Sequence, residues 1–128
     1  MKNTKNIAII GTRTYPAHLI ENYLMNIRLP DGLAIILLIG GHTASEAARK
    51  VAEIRGWGIS EYLPNYARYK QGATHIRSKE MLLQADGVVT FWDGASKGTE
   101  NEIRMAKKMG KKLIHCGASE PKTENGLF

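Results

Sequence analysis

The segment Asp93-Gly94-Ala95-Ser96-Lys97-Gly98-Thr99 joins an apolar, β-branched run, Gly87 to Phe91, to a helical stretch, and that order of residue types suits anion binding. A strand that empties into a polar turn leaves backbone N–H groups facing solvent, and the helix that follows adds the positive end of its macrodipole. Gly94 and Gly98 let a ligand approach the backbone closely, while Asp93, Ser96 and Thr99 supply polar side chains beside it. A nucleotide phosphate meets these requirements. Two further apolar runs end the same way, one at Gly11 followed by Thr12 and Arg13, the other at Gly40 and Gly41 followed by His42. Open α/β sheets bind ligands beyond the carboxyl ends of their strands, so these six residues are candidate ligand contacts as well.

Several of these residues also admit a structural account. Thr99 with Glu102, and Thr43 with Glu46, each match a T-x-x-E capping box, which satisfies the first amides of a helix with no ligand present. The cap is the simpler reading for Glu46, and for Glu102 both readings stand. Arg77 either pairs with Glu80 at i+3 on a solvated helix face or reaches a ligand. The polar, aromatic-rich stretch before it, Asn65 to His75, has the composition of a segment that folds over a ligand. His42 and His75 serve as ligand contacts or as polar loop groups. Trp92 and Tyr66 could stack on a base, although Trp92 directly follows a buried strand and fits the core equally well.

Positioning such groups requires a particular scaffold. Apolar strands are expected at Lys5 to Gly11, Leu33 to Gly41, Gly58 to Leu63, Gly87 to Phe91 and Lys112 to Cys116. Amphipathic helices are expected at Pro16 to Ile27, Thr43 to Arg55, Gly72 to Ala85 and Asn101 to Met109. Strands apolar throughout, alternating with amphipathic helices, predict an α/β fold: a single Rossmann-like domain over residues 1–128, with a parallel sheet of about five strands and helices on both faces. At 128 residues and 43% hydrophobic content the chain can bury one core, and no linker or repeat divides it.

The longest apolar run is too short to cross a bilayer and no secretory leader precedes the first strand, so a cytoplasmic protein without membrane contact is expected. The single cysteine, Cys116, lies in an apolar strand and reads as a buried structural thiol. Histidines at 18, 42, 75 and 115 are too scattered for a metal site, and neither metal nor cofactor is expected. The net charge is +6, with Arg104, Lys107, Lys108, Lys111 and Lys112 close together. The end of a helix favours such cations through the macrodipole and solvation, so the patch is assigned to that cause and nucleic acid is not the expected partner. The basic balance is instead matched to a small anionic ligand. Trp57, Tyr62, Tyr66, Tyr69, Met81 and Leu82 exceed what one site needs, which predicts a homodimer or higher oligomer.

Taken together, GTRTYP after the first strand, IGGHTASEAARKVA after the second, GATHIRSKEMLLQADGVVTFWDGASKGTENEI and KKMGKKL resemble the SLOG superfamily of Rossmann-like nucleotide-binding domains, nearest its short YspA-like branch. The superfamily includes the LOG phosphoribohydrolases and the DNA-processing protein DprA. The resemblance covers nearly the whole chain, and the ADGVVTFWDGASKGT block is its most specific part. LOG enzymes cleave the N-glycosidic bond of nucleoside 5′-monophosphates and carry R-x-x-x-M and P-G-G-x-G-T-x-x-E motifs. Arg77 and Met81 match the first, and Gly98, Thr99 and Glu102 match the second. Gly94, Ala95 and Ser96 stand in place of Pro-Gly-Gly, and Ala44 and Glu46 depart from the superfamily's S-G-G-A-x-G-A-D. The resemblance implies Glu102 and Arg77 as catalytic residues. Arg13, Gly41, Arg77, Gly98, Thr99 and Glu102 each follow a strand end or belong to the facing helix, and are expected to converge on one pocket at the carboxyl ends of the strands. A domain that senses or sequesters a nucleotide without turnover is the alternative, and a DNA-binding factor, which would need an extended basic face, is the third reading.

Overall fold

Alternate residues of each central strand point to opposite faces of one sheet, and both faces are covered. In the computed structural model, which describes residues 3–11, 14–28, 32–40, 43–116 and 121–123, the strands are β1 (Asn3–Gly11), β2 (Leu33–Ile39), β3 (Gly58–Glu61), β4 (Gly87–Phe91), β5 (Lys112–Cys116) and β6 (Pro121–Thr123). The helices are α1 (Ala17–Asn26), α2 (Thr43–Arg55), α3 (Tyr66–Tyr69), α4 (Ala73–Gln84) and α5 (Lys97–Lys108), with a 3-10 turn at Lys70–Gly72. Strand order is β3-β2-β1-β4-β5-β6. The first five strands are parallel and β6 runs antiparallel to β5. This is the Rossmann-like α/β architecture expected from the alternating strand and helix pattern.

The period of two is visible residue by residue. Ile7 and Ile9, Leu37 and Ile39, Val89 and Phe91, and Ile114 and Cys116 pack with Ile20 and Leu24 of α1 and Ala48 and Val51 of α2. Their neighbours Ala8, Ile10, Leu38, Val88 and Leu113 pack on the other face with Met81 and Leu82 of α4 and Ala106 of α5. Phe91 is fully buried and meets the rings of Tyr15 and Tyr23 at 5.5 and 6.0 Å. Burial beside these rings pushes the Cys116 thiol up to about 12, so it stays protonated and unreactive, as expected of a structural thiol.

Three local differences from the expected elements have simple causes. The last helix starts at Lys97 and not at Asn101, because Ser96 caps it by accepting from Thr99 N. β3 stops at Glu61 because its partner β2 ends opposite it at Ile39. β6 was not foreseen; it is an edge strand of three residues, and Pro121 is tolerated there because an edge position leaves one side of the strand unpaired.

Met81 and Leu82, counted above toward an oligomeric interface, are 1% and 0% exposed and belong to the core. Trp57 lies under the Arg55 guanidinium at 4.4 Å, and Arg55 also donates to the carbonyls of Leu24 and Ile27 at the end of α1. That aromatic ring therefore serves a helix stop. Leu63, Tyr66 and Leu83 remain exposed.

The two inner strands are also tied at their entry. Asn6 N donates to the Asp86 carboxylate at 2.8 Å, Asp86 N donates to Asn6 O at 2.7 Å, and the Asn6 amide donates to Gln84 O. At the opposite end β1 finishes at Gly11, where a Cβ would lie 2.8 Å from the Ala44 Cβ of α2 and 3.5 Å from that of Phe91. Close approach of helix to strand explains this glycine without a ligand. Gly11→Ala is therefore expected to destabilise the fold by about 1–3 kcal/mol, the usual cost of overpacking, which urea denaturation will measure.

Among the described residues no helix is long and apolar enough to cross a membrane.

Candidate functional site

Arg77 and Ser78 share the second turn of α4, and both are buried although polar. Arg77 is 8% exposed, and its guanidinium donates to the carbonyl of Gly40, immediately beyond the carboxyl end of β2. Its Nε has no hydrogen-bond partner among the described residues. A cation removed from water with one donor unmatched is costly. The solvated Arg77–Glu80 pair allowed by the sequence is not formed.

Glu102, on α5, supplies the opposite charge. Its carboxylate accepts from the Ser78 hydroxyl at 3.0 Å and lies within electrostatic reach of Arg77. Burial pushes the Glu102 carboxyl above the ordinary carboxylate range, against the opposing influence of the Ser78 hydroxyl and the Arg77 guanidinium. The capping box expected of Thr99 and Glu102 is absent: Ser96 takes the capping role, and Glu102 lies too far into the helix to reach the cap. The carboxylate lines a cleft instead.

That cleft, of about 250 Å³, separates α4 from α5. Gln71, Thr74, His75 and Ser78 line one wall, and Gly98, Asn101, Glu102 and Met105 line the other. Each set is spaced i, i+3, i+4, i+7, so each is a single helical stripe facing the other. The Tyr66 hydroxyl lies 3.4 Å from that of Thr74, which places the exposed Tyr66 ring at the rim. His75 belongs to the wall, where the sequence favoured an ordinary loop role.

The turn proposed as a phosphate cradle is arranged differently from its expected form. Asp93 accepts from Ala95 N and Ser96 N at 2.8 and 2.9 Å, and Ser96 accepts from Thr99 N at 3.4 Å. Gly94 makes this turn possible at φ +85°. Three amides that would greet an anion are thus held by the chain's own side chains, and an acidic group stands where the anion was expected. Trp92 is half-buried and donates from its indole to Ser96 O, bracing the turn from behind. Gly98 faces the cleft, whereas Thr99 is 3% exposed and points inward. Gly40 also donates from its N–H to the Ser45 hydroxyl at 3.2 Å, which fixes the carbonyl that Arg77 grips.

Of the residues expected to converge, Gly98 and Glu102 line the cleft, Arg77 lies within electrostatic reach of Glu102 but outside the lining, and Thr99 is buried; Arg13 and Gly41, like the candidate contacts Thr12 and His42, lie outside the described residues. Sequence reasoning passed over Ser78, Thr74, Gln71 and Asn101. Their shared helical period was the signal that could have found them. Among the described residues no cluster of His, Cys, Asp and Glu could hold a metal ion. Comparison with protein-family models, with curated proteins and with solved structures gives no match to this chain.

Proposed function

We propose that the cleft between α4 and α5 binds a nucleotide and hydrolyses the N-glycosidic bond of a nucleoside 5′-monophosphate. The observation that carries this reading is the Arg77–Glu102–Ser78 group beside the cleft: Ser78 and Glu102 line it, and the buried Arg77 guanidinium next to Glu102 keeps one donor unmatched among the described residues. Departure of a base leaves positive charge on the ribose, and a fixed carboxylate in a partly dry cleft stabilises that charge and orients the attacking water. Glu102 takes this role. Its raised proton affinity also suits it to accept the proton that the attacking water gives up. Arg77, already short of one acceptor, holds a ligand oxygen and keeps Glu102 in place. The N–H of Gly98 and the Lys97 side chain in the first turn of α5 remain to meet the 5′-phosphate.

A second reading, nucleotide binding without turnover, is favoured by one observation: Asp93 and Ser96 already occupy three amides of the turn. Incubation with a panel of nucleoside 5′-monophosphates separates the two, with released base followed by chromatography. Release from at least one member is expected; tight binding of a member with no release from any would leave only the binding reading. Self-association belongs to the same proposal and rests on exposed Leu63, Tyr66 and Leu83. Light scattering should return a dimer or larger species at micromolar concentration, and a monomer there removes it.

A further inference from the structure

The α5 wall of the cleft sets an order along the ligand. Gly98, Glu102 and Met105 follow one another on one stripe; at about 1.5 Å per residue Glu102 lies about 6 Å beyond Gly98 along the helix, and Met105 about 4.5 Å beyond Glu102. A nucleotide with its 5′-phosphate at Gly98 and its ribose at Glu102 therefore extends its base toward Met105. The space widens there. Beside the cleft of about 250 Å³ lies an open groove of about 690 Å³, and His75, Asn101 and Met105 line both hollows. These three shared residues stand where ribose gives way to base, next to the bond to be broken. Two of them belong to α5, and His75 faces them from α4.

Breaking that bond calls for two proton movements at different places. Water attacking the anomeric carbon must give up a proton, and the ionised Glu102 carboxylate is placed to take it. The base departs with the electron pair of the bond, and it leaves poorly unless one of its nitrogens gains a proton in the same step. The Asn101 amide can hydrogen-bond a base but has no proton to transfer, and the Met105 thioether has none either. Among the described residues lining the cleft, only His75 and Glu102 carry an acid–base group. Glu102 is committed to the water, and imidazole is the side chain most suited to giving up a proton near neutral pH.

We propose that His75 is a catalytic residue, the general acid that protonates the departing base. This deepens the hydrolytic reading of the cleft and rests on it. The water oxygen bonds to the anomeric carbon as the bond from that carbon to the base nitrogen breaks, and the electron pair stays with the base. One proton passes from the His75 imidazolium to the base, and another from the water to Glu102. Ribose phosphate and neutral base leave, after which solvent returns a proton to His75 and takes one from Glu102.

The test compares leaving groups. Wild type and His75→Gln are assayed for base release from AMP, GMP, CMP and UMP, and for para-nitrophenolate release from para-nitrophenyl riboside 5′-phosphate. Nitrophenolate departs without being protonated, whereas the bases need the acid. His75 is exposed, so the substitution leaves the fold in place. His75→Gln should lower kcat for base release by at least about 100-fold, the low end for a positioned general acid, with nitrophenolate release reduced by less than about 3-fold. Undiminished base release, or an equal loss on both kinds of substrate, overturns the role of His75 and leaves Glu102 and the hydrolytic reading intact. A wild type that releases base from no monophosphate overturns both.

Discussion

Glu102→Gln should lower base release by at least about 100-fold while nucleotide affinity changes little, the scale seen when a positioned acid–base or electrostatic group is removed. The amide keeps the shape of the side chain and can still accept from the Ser78 hydroxyl, so the cleft wall stays in place. What is lost is the negative charge and the capacity to take a proton. The wild-type pH profile carries the same signature. Because burial raises the Glu102 pKa, the acid limb of base release should lie above the ordinary carboxylate range and rise with pH as the carboxyl ionises. Stability should move in the opposite direction. A carboxyl that binds its proton more tightly in the folded chain than in the unfolded chain adds stability below the unfolded pKa, and that contribution is lost as pH rises through the folded pKa. Urea denaturation across this range should show the decline in wild type and its absence in Glu102→Gln. Full activity in the variant would remove Glu102 from the chemistry.

Gly40→Ala should lower turnover, or ligand affinity if there is no turnover, by about 100-fold, the cost of displacing a positioning group by roughly 1 Å. A Cβ on Gly40 would overlap Arg77 Nη1 and lie 3.0 Å from its Cζ, so the guanidinium must leave the carbonyl it grips. The displaced atoms are the far end of a flexible side chain. Fold stability should therefore suffer less than in Gly11→Ala, where the obstructing Cβ is fixed to the backbone of α2. Thermal melting of both variants, alongside the nucleotide assay, gives the comparison. A Gly40→Ala protein with wild-type binding and turnover would show that Arg77 need not occupy this position.

The scaffold was legible in the sequence because burial on both faces forces the strands to be apolar throughout: GVVTF and the Leu33 to Ile39 run need no partner to be recognised. α2 is found at Thr43–Arg55, where its periodicity put it. The site was harder to read. A T-x-x-E pattern carries the same letters whether Thr99 caps the helix or Ser96 does, and only the start of α5, two residues before Thr99, decides where the Glu102 side chain goes. The helical period marks Ser78 as sharing a face with Gln71, Thr74 and His75, but its bond to Glu102, 24 residues away, leaves no local spacing to read. The turn after β4 was correctly placed as a loop, but whether its amides are open or filled depends on the Asp93 rotamer, which composition does not encode.

The double tie between Asn6 and Asp86 has a kinetic meaning. It joins residues 80 positions apart, whereas β1 meets β2 across about 30, as in Ile7 opposite Leu37. With closure entropy growing as the logarithm of loop length, bringing β4 to β1 costs about 0.9 kcal/mol more than bringing β2 there. β4 meets β5 across 25 residues, as in Val88 opposite Leu113, so the two halves of the sheet each close locally and the line between β1 and β4 is a late-closing seam. Since α4 lies next to β4 in the chain and Gly40 follows β2, the Arg77 guanidinium reaches the Gly40 carbonyl only once that seam has shut.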